Sequence, residues 1–582
     1  MNYSILIRYC RTWACACVRT RNLMLLASCL FALNLWAVPA QHIRRLVRLA
    51  DGSRVEATLY GNSHLSWLET DNGEVLTAMD DGVTYMRTNF SRADMYRKMA
   101  TVSESHARKA PRKIGSQATA PLPSTGSPKV PVLLVSFADK NFSVAGSDEE
   151  VRDYFDLYCN GTRNGKRYTG HGSYGAIRDY FIAQSDSLFQ PEFVVIGPVQ
   201  LDNGYAYYGK NSSSTTDVNY SAFRKEAVTK AVEQFNIDWL GLFDNRSKGQ
   251  VDMVFFIFAG MGEANSGDEN TIWPKDVGNS VTINGIKFAS AACCNELRAK
   301  TIEDNVVTET EAEGIGIMCH ELSHAMGLPD FYDVYGTSFG MDIWSVMDYG
   351  EWCANGFCPV AYTAYERDFM GWRSLQVISE PGRYELAPVS RGGIGYKVVN
   401  PENSNEYYIL ENRQKTGWDV ALGSYGRGLQ VTHVDFDASR WNNNVVNTDA
   451  NRQRMTIIAA NNRYIGSSVR ETFDDMKLTW EGNLFPYEHN DSLTDLSTPA
   501  ATVYSARGFM GQPIYDISTA NENGYVSFNF LKKTDTDIVP AVVREPEKRA
   551  SGLFDLSGRR VSEGRLGKGI YIRNGRLVVQ DR

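Results

Sequence analysis

The sequence predicts an α+β protein of several domains, and three observations carry that expectation. Its 582 residues exceed what a single hydrophobic core organises. Its patterned segments fall into blocks along the chain: alternating apolar runs first, mixed strand and helix patterns next, and short strands again towards the end. Its composition, 43% hydrophobic and 22% charged, is that of a folded chain. The net charge of −8 comes without a concentrated basic stripe, which argues against nucleic acid as a partner.

Residues 1–40 are expected to be a signal peptide. Arg11, Arg19 and Arg21 precede the apolar run Leu23–Ala37. That run is about 15 residues, short of the roughly 20 that span a bilayer. Small residues at Val38 and Ala40 suit cleavage after Ala37 or Ala40. The expected route is Sec export, and the expected location is outside the cell or on its surface. Cys159, Cys293, Cys294, Cys319, Cys353 and Cys358 lie beyond this segment, too few for a disulfide framework. Cys353 and Cys358 are close enough in sequence to pair, and export permits it.

Residues 41–127 begin as a β-rich unit. Its alternating runs are separated by the hairpin signals Asp51-Gly52, Gly61-Asn62, Asn72-Gly73 and Asp81-Gly82. The following stretch, ARKAPRKIGSQATAPLPSTGSPK, reads as an exposed linker. Its basic pairs Arg108-Lys109 and Arg112-Lys113 are expected processing sites.

Residues 128–375 carry the mixed pattern. The continuous apolar run Val130–Asp139 reads as a buried strand, as do FVVIGPV and VDMVFFIFAG. In YGAIRDYFIAQS, Ile177, Tyr180 and Phe181 share one helical face. Asn284-Gly285 marks a hairpin. Residues 376–533 read as all-β, 534–550 as a second linker, and 551–582 as a short β-like tail with a turn at Asn574-Gly575.

The stretch GIGIMCHELSHAMGLPDFYDV holds the candidate site. A helix is expected over Glu311–Met326, with Ile315, Met318, Leu322, Ala325 and Met326 on one face. His320 and His324 lie roughly 140–180° from Ile315, one turn apart, so both can aim at a single metal. Cys319 falls on the core face as a buried thiol. Gly327 stops the helix, Pro329 prevents its resumption, and the turn delivers Asp330. Zinc takes imidazole nitrogen and carboxylate oxygen and keeps a position for water, which it acidifies while polarising a carbonyl. His320, His324 and Asp330 are the candidate ligands, and Glu321 is the candidate general base.

The full H-E-x-x-H-x-x-G-x-x-D string resembles the metzincin zinc peptidases, whose usual third ligand is a histidine where Asp330 stands. In that resemblance WSVMDYG supplies the Met-turn through Met347, and Tyr349 matches a tyrosine that reaches the metal or the oxyanion. The aspartate variant with GLPDFYD resembles the immune inhibitor A group of secreted metallopeptidases. Further matching segments are GSYGAIRDYFIAQS, FFIFAGMGEANSGDENTIWPK, CPVAYTAYERDFMGW and EYYILENRQKTGWD, so that the likeness spans roughly residues 130–437. The resemblance implies a metzincin-like catalytic domain at 128–375, a β-sandwich-like domain at 376–533, a Zn2+ cofactor, and endopeptidase action on extracellular proteins and peptides. A monomer is expected.

Four further expectations follow from it. The unit before the catalytic region resembles a propeptide. No cysteine occurs between Gln41 and Tyr158, so any latency must come from another group or from steric blockage. Relatives carry a calcium-type loop where this chain has DNRSKGQVD; Arg246 and Lys248 stand in place of carboxylates, so no calcium is expected there. The tail, especially KGIYIRNGR, resembles type IX secretion sorting signals, which implies secretion machinery as a partner. A substrate strand is expected to add to Gly285–Cys293 as an edge; other substrate-binding residues stay open. His433 is expected in packing or at the surface, and His171 in an exposed loop. Two other functions fit the motif less well: an adhesin on an inactive protease scaffold, and a zinc hydrolase of glycosylated or cell-wall peptides.

Overall fold

The computed structural model describes residues 35–36 and 38–532, apart from 80, 82, 110–114, 164, 213–215, 279, 337 and 465–472. In the tail it describes the antiparallel strands Leu553–Asp555, Gly569–Arg573 and Arg576–Gln580. The signal segment up to residue 34, the pair Arg112-Lys113, the linker 534–550 and the turn Asn574-Gly575 lie outside the described residues.

The N-terminal unit closes a five-stranded barrel from Arg44–Leu49, Arg54–Asn62, Leu65–Thr70, Val75–Ala78 and Thr84–Arg87. Asp51-Gly52 and Asn72-Gly73 turn as expected, whereas Gly61-Asn62 ends a strand and the turn falls at Ser63-His64. Alternation sets its inside: Arg45, Val47 and Leu49 are buried, while Arg44, Leu46 and Arg48 face out. The helix Arg92–Lys109 follows, with Met95 and Met99 packed on Trp67 and Val75. This helix runs into the stretch expected to be linker. The later part of that stretch is only partly exposed: Ala120, Leu122 and Ser124 are buried, while Ala118, Thr119 and Thr125–Ser127 are exposed. Leu122 N donates to Ala325 O at 3.0 Å, and Trp372 Nε1 donates to Ser124 O at 2.6 Å. A Pro- and Ser-rich loop can be buried when its backbone groups find partners this way.

The middle block forms a seven-stranded sheet. Its order is Leu35–Trp36, Lys275–Val277, Ala291–Glu303, Val254–Met261, Lys129–Ser136 and Glu192–Gln200, with Val306–Ala312 also paired to Ala291–Glu303. The last four of the six in line are mutually parallel. Both faces are covered: Val130, Val132 and Leu134 enter one core, Leu133 and Val135 the other, so this strand reads as continuously apolar. The expected hairpin turns at Asn284 and Gly285, both at positive φ (49° and 82°).

Two expectations are corrected. The helix starts at Gly316, not Glu311, because Val306–Ala312 is a strand whose Glu311 pairs with Arg298 across the ladder. At Gly316 a Cβ would lie 2.1 Å from Glu351 O, so the backbone approach there demands glycine. Gly285–Cys293 is not an edge: Ile286–Phe288 belongs to a hairpin, and Ala291–Cys293 is paired on both sides. The strand beyond it is Lys275–Val277, which carries Leu35–Trp36 antiparallel on its outer side.

The third block places two sheets around one core. The first holds Gln376–Val377, Tyr396–Asn400, Asn403–Arg413, Gly428–Asp435 and Met455–Ile457; the second holds Gly382–Leu386, Ile514–Tyr515 and Val526–Phe530. Leu386, Tyr396, Leu410 and Phe528 meet between them. The helices Ala438–Asn442 and Phe473–Glu481 interrupt the expected all-β pattern. The six cysteines named above are buried free thiols, Cys353 and Cys358 included. Among the described residues no helix is long and apolar enough to cross a membrane.

Candidate metal centre

The helix Gly316–Ala325 carries His320, Glu321 and His324, all fully buried. One turn separates the two imidazoles, whose ring centroids lie 4.7 Å apart. After the helix, Gly327 takes φ 107°, and the chain turns to bring Asp330 beneath them. Asp330 Oδ1 stands 3.1 Å from His320 Nε2 and 3.2 Å from His324 Nε2.

Hydrogen bonding at the outer nitrogens fixes the tautomers. His320 Nδ1 meets Val346 O at 2.8 Å, and His324 Nδ1 meets Leu328 O at 2.7 Å. A carbonyl oxygen only accepts, so each Nδ1 carries a proton, and in its neutral form each ring turns the Nε2 lone pair inward. Two such nitrogens and a carboxylate oxygen, all within 4.8 Å of one another, make three buried acceptors facing a common point. No proton of the neutral rings lies between them, and that donor set fits a Lewis-acidic cation such as zinc. Burial lowers the pKa of His320. It also opposes charge on His324, but Asp330 outweighs it there and raises the value. Asp330, despite its burial, is held far below the usual carboxylate range by the two rings.

Glu321 projects beside this trio. Burial, reinforced by the charges of Asp276 and Asp330, pushes its carboxyl well above the usual range. Its Oε1 accepts the Val38 N–H at 3.3 Å, and its Oε2 has no hydrogen-bond partner among the described residues. A carboxylate with raised proton affinity next to a cation site is equipped to accept and return a proton.

Met347 is fully buried, and its carbonyl accepts the Phe331 N–H at 2.8 Å, which ties it to the residue after Asp330. Tyr349 is engaged elsewhere: its hydroxyl lies 3.1 Å from His42 Nε2 of the N-terminal unit. His433 bonds Glu406 at 2.9 Å between strands of the third block, and His171 is exposed; neither joins the trio. Arg246 donates to the Gln117 and Leu122 carbonyls at 3.0 and 3.1 Å.

Several residues of the site carry no motif. Asn444 bonds Asp330 from the third block. Glu351 is buried with Oε2 3.4 Å from His320 Nδ1. The segment Val38–Gln41 lies in the cleft: Val38 O accepts from Trp273 Nε1, Pro39 O from Trp352 Nε1, and Gln41 N donates to Ala264 O. Apolar patterning along this segment carries no information about where it docks.

The region that carries this site is similar to known proteins. Residues 120–374 match the family described as immune inhibitor A peptidase M6, catalytic domain. The chain is 26% identical over 229 residues to the pre-pro-metalloprotease PrtV of Vibrio cholerae serotype O1 (strain M66-2), covering 35% of this chain and 25% of that protein. It is 27% identical over 162 residues to immune inhibitor A of Bacillus thuringiensis subsp. alesti, covering 25% of this chain and 23% of that protein. The chain thus spans about a quarter of the length of the curated relatives it matches. These similarities support a metallopeptidase with an immune inhibitor A-type catalytic region.

Proposed function

We propose that the chain is a secreted zinc endopeptidase kept latent by its own N-terminal unit. One observation carries the reading: His320, His324 and Asp330 converge with inward-facing acceptors, on the same helix as Glu321, within the region that matches a peptidase family. A zinc ion held by these three residues would acidify water and polarise the scissile carbonyl. Glu321 takes the proton of the attacking water at its carboxylate and hands it to the leaving nitrogen. Met347 supports the floor of the site, and Tyr349, once released from His42, supplies a hydroxyl towards the developing oxyanion.

Latency follows from occupancy. With signal cleavage after Ala37, Val38–Gln41 stays on the exported chain and fills the cleft, and His42 holds Tyr349, so the unit blocks substrate sterically and engages a catalytic candidate. Cleavage near Arg108–Lys113 releases it. Export through Sec, and passage directed by a tail of type IX character, complete the reading. An adhesin on a retired scaffold is disfavoured, because such a scaffold has no use for ligands, base and buried methionine together.

The test is cleavage of a diverse peptide library by the activated chain and by Glu321→Ala, with and without a chelator. Activity lost in the variant and under chelation is the expected result. Equal activity in both proteins refutes the mechanism.

A further inference from the structure

Two tryptophans hold the backbone of the segment in the cleft. Trp273 Nε1 donates to Val38 O at 2.9 Å, and Trp352 Nε1 donates to Pro39 O at 3.3 Å. They come from different elements. Trp273 precedes the strand Lys275–Val277, and Trp352 lies in the turn after Met347. Both are buried, at 0% and 8% exposure. An indole N–H is a donor only, and a buried one needs an acceptor. Here each acceptor is a carbonyl of a segment that activation removes.

Glu321 fixes where these carbonyls stand relative to the chemistry. A base that has taken a proton from water must return it to the leaving nitrogen. Within the segment, the nitrogen in its reach is that of Val38, 3.3 Å from Oε1. The segment therefore lies as a substrate does, with Val38 the first residue after the reacting bond. Upstream, in the precursor that still carries its signal segment, Leu35 and Trp36 pair antiparallel with Val277 and Asp276 on the edge strand, as an added strand. Downstream, the first and second carbonyls go to Trp273 and Trp352.

We propose that Trp273 and Trp352 form a main-chain clamp for peptide substrates, gripping the carbonyls of the first and second residues beyond the scissile bond. This inference rests on the peptidase reading above. Carbonyls are common to all residues, so the clamp sets register rather than sequence preference. It requires two residues after the bond, which suits an endopeptidase. Proline is accepted at the second position, because Pro39 stands there and the clamp uses its carbonyl, not an N–H.

The experiment compares two substrates with the same residues before the bond, on the full chain activated by limited trypsin cleavage. One continues with Val-Pro-Ala-Gln; the other ends in an aryl amide. Trp352→Phe is expected to raise KM for the peptide about ten-fold, an effect at least several times larger than its effect on the aryl amide. A second readout does not depend on turnover: calorimetric binding of the tetrapeptide Val-Pro-Ala-Gln to activated Glu321→Gln. Its affinity should fall about ten-fold in Trp352→Phe, and equally when the proline carbonyl of the tetrapeptide is reduced to a methylene. That reduced tetrapeptide tests the clamp even where a tryptophan variant does not fold. Equal KM effects on both substrates, or tetrapeptide affinity indifferent to the proline carbonyl, would overturn the clamp. Carbonyl-dependent tetrapeptide binding without cleavage of either substrate would support the clamp and sink the peptidase reading instead.

Discussion

Asn444 grips Asp330 twice. Its Oδ1 accepts the Asp330 backbone N–H at 2.6 Å, and its Nδ2 donates to Asp330 Oδ2 at 2.5 Å. Oδ2 is thereby engaged, and Oδ1 alone faces the two histidines. Asn444 does this from φ 53°, a left-handed conformation that asparagine tolerates better than most residues.

Asn444→Ala should therefore leave Asp330 free to rotate and weaken metal binding by about 10–100-fold. Competition with a chromogenic chelator measures this. Affinity equal to wild type would mean that the Gly327–Pro329 turn alone aims the carboxylate.

His42 makes docking of the N-terminal unit pH-dependent. Burial, aided by the charge of Arg92, lowers its pKa from 6.5 to about 4, and the rings of Tyr60 and Tyr349 pack on it at 4.8 and 4.9 Å. A released unit binds a proton between these values that the docked unit refuses. Docking is thus strongest above pH 6.5 and weakens as pH falls towards 4, by a factor on the order of a hundred. Gel filtration of chain nicked near Arg108–Lys113 should show the N-terminal fragment leaving at pH 4.5 and staying at pH 7.5. His42→Phe should flatten that dependence; a variant with the wild-type profile would assign it to another group.

Gly316→Ala places a methyl 2.1 Å from Glu351 O, against backbone that cannot rotate aside. The cost should be about 3 kcal/mol or more in urea unfolding. A loss below about 0.5 kcal/mol would show that the helix start can shift away from the 351–356 segment.

Arg246 supports the 244–252 loop by bonding two carbonyls of residues 117 and 122. Calcium should not raise the melting temperature through this loop, and Arg246→Ala should destabilise by about 1–3 kcal/mol by leaving both carbonyls without that donor. A calcium-dependent gain that disappears with Asp244→Asn would reverse this assignment.

Local chemistry was legible in the sequence where its cause is local. Helical pitch alone places His320 and His324 together with Glu321 beside them, and Gly327 with Pro329 dictates the turn that carries Asp330 under the rings. Continuous apolar runs marked the parallel strands, because both faces of that sheet are covered. Tertiary structure decided the rest. The helix start moved from Glu311 to Gly316 because a ladder partner, Arg298, claims Glu311 as strand. The edge strand moved to Lys275–Val277 because Ala291–Cys293 found neighbours on both sides. Asn444 reaches Asp330 across 114 positions, and Val38 reaches Glu321 across 283. Periodicity reports what a residue does to its neighbours in the chain; contacts between distant segments depend on how whole elements pack, and only the folded protein brings them together.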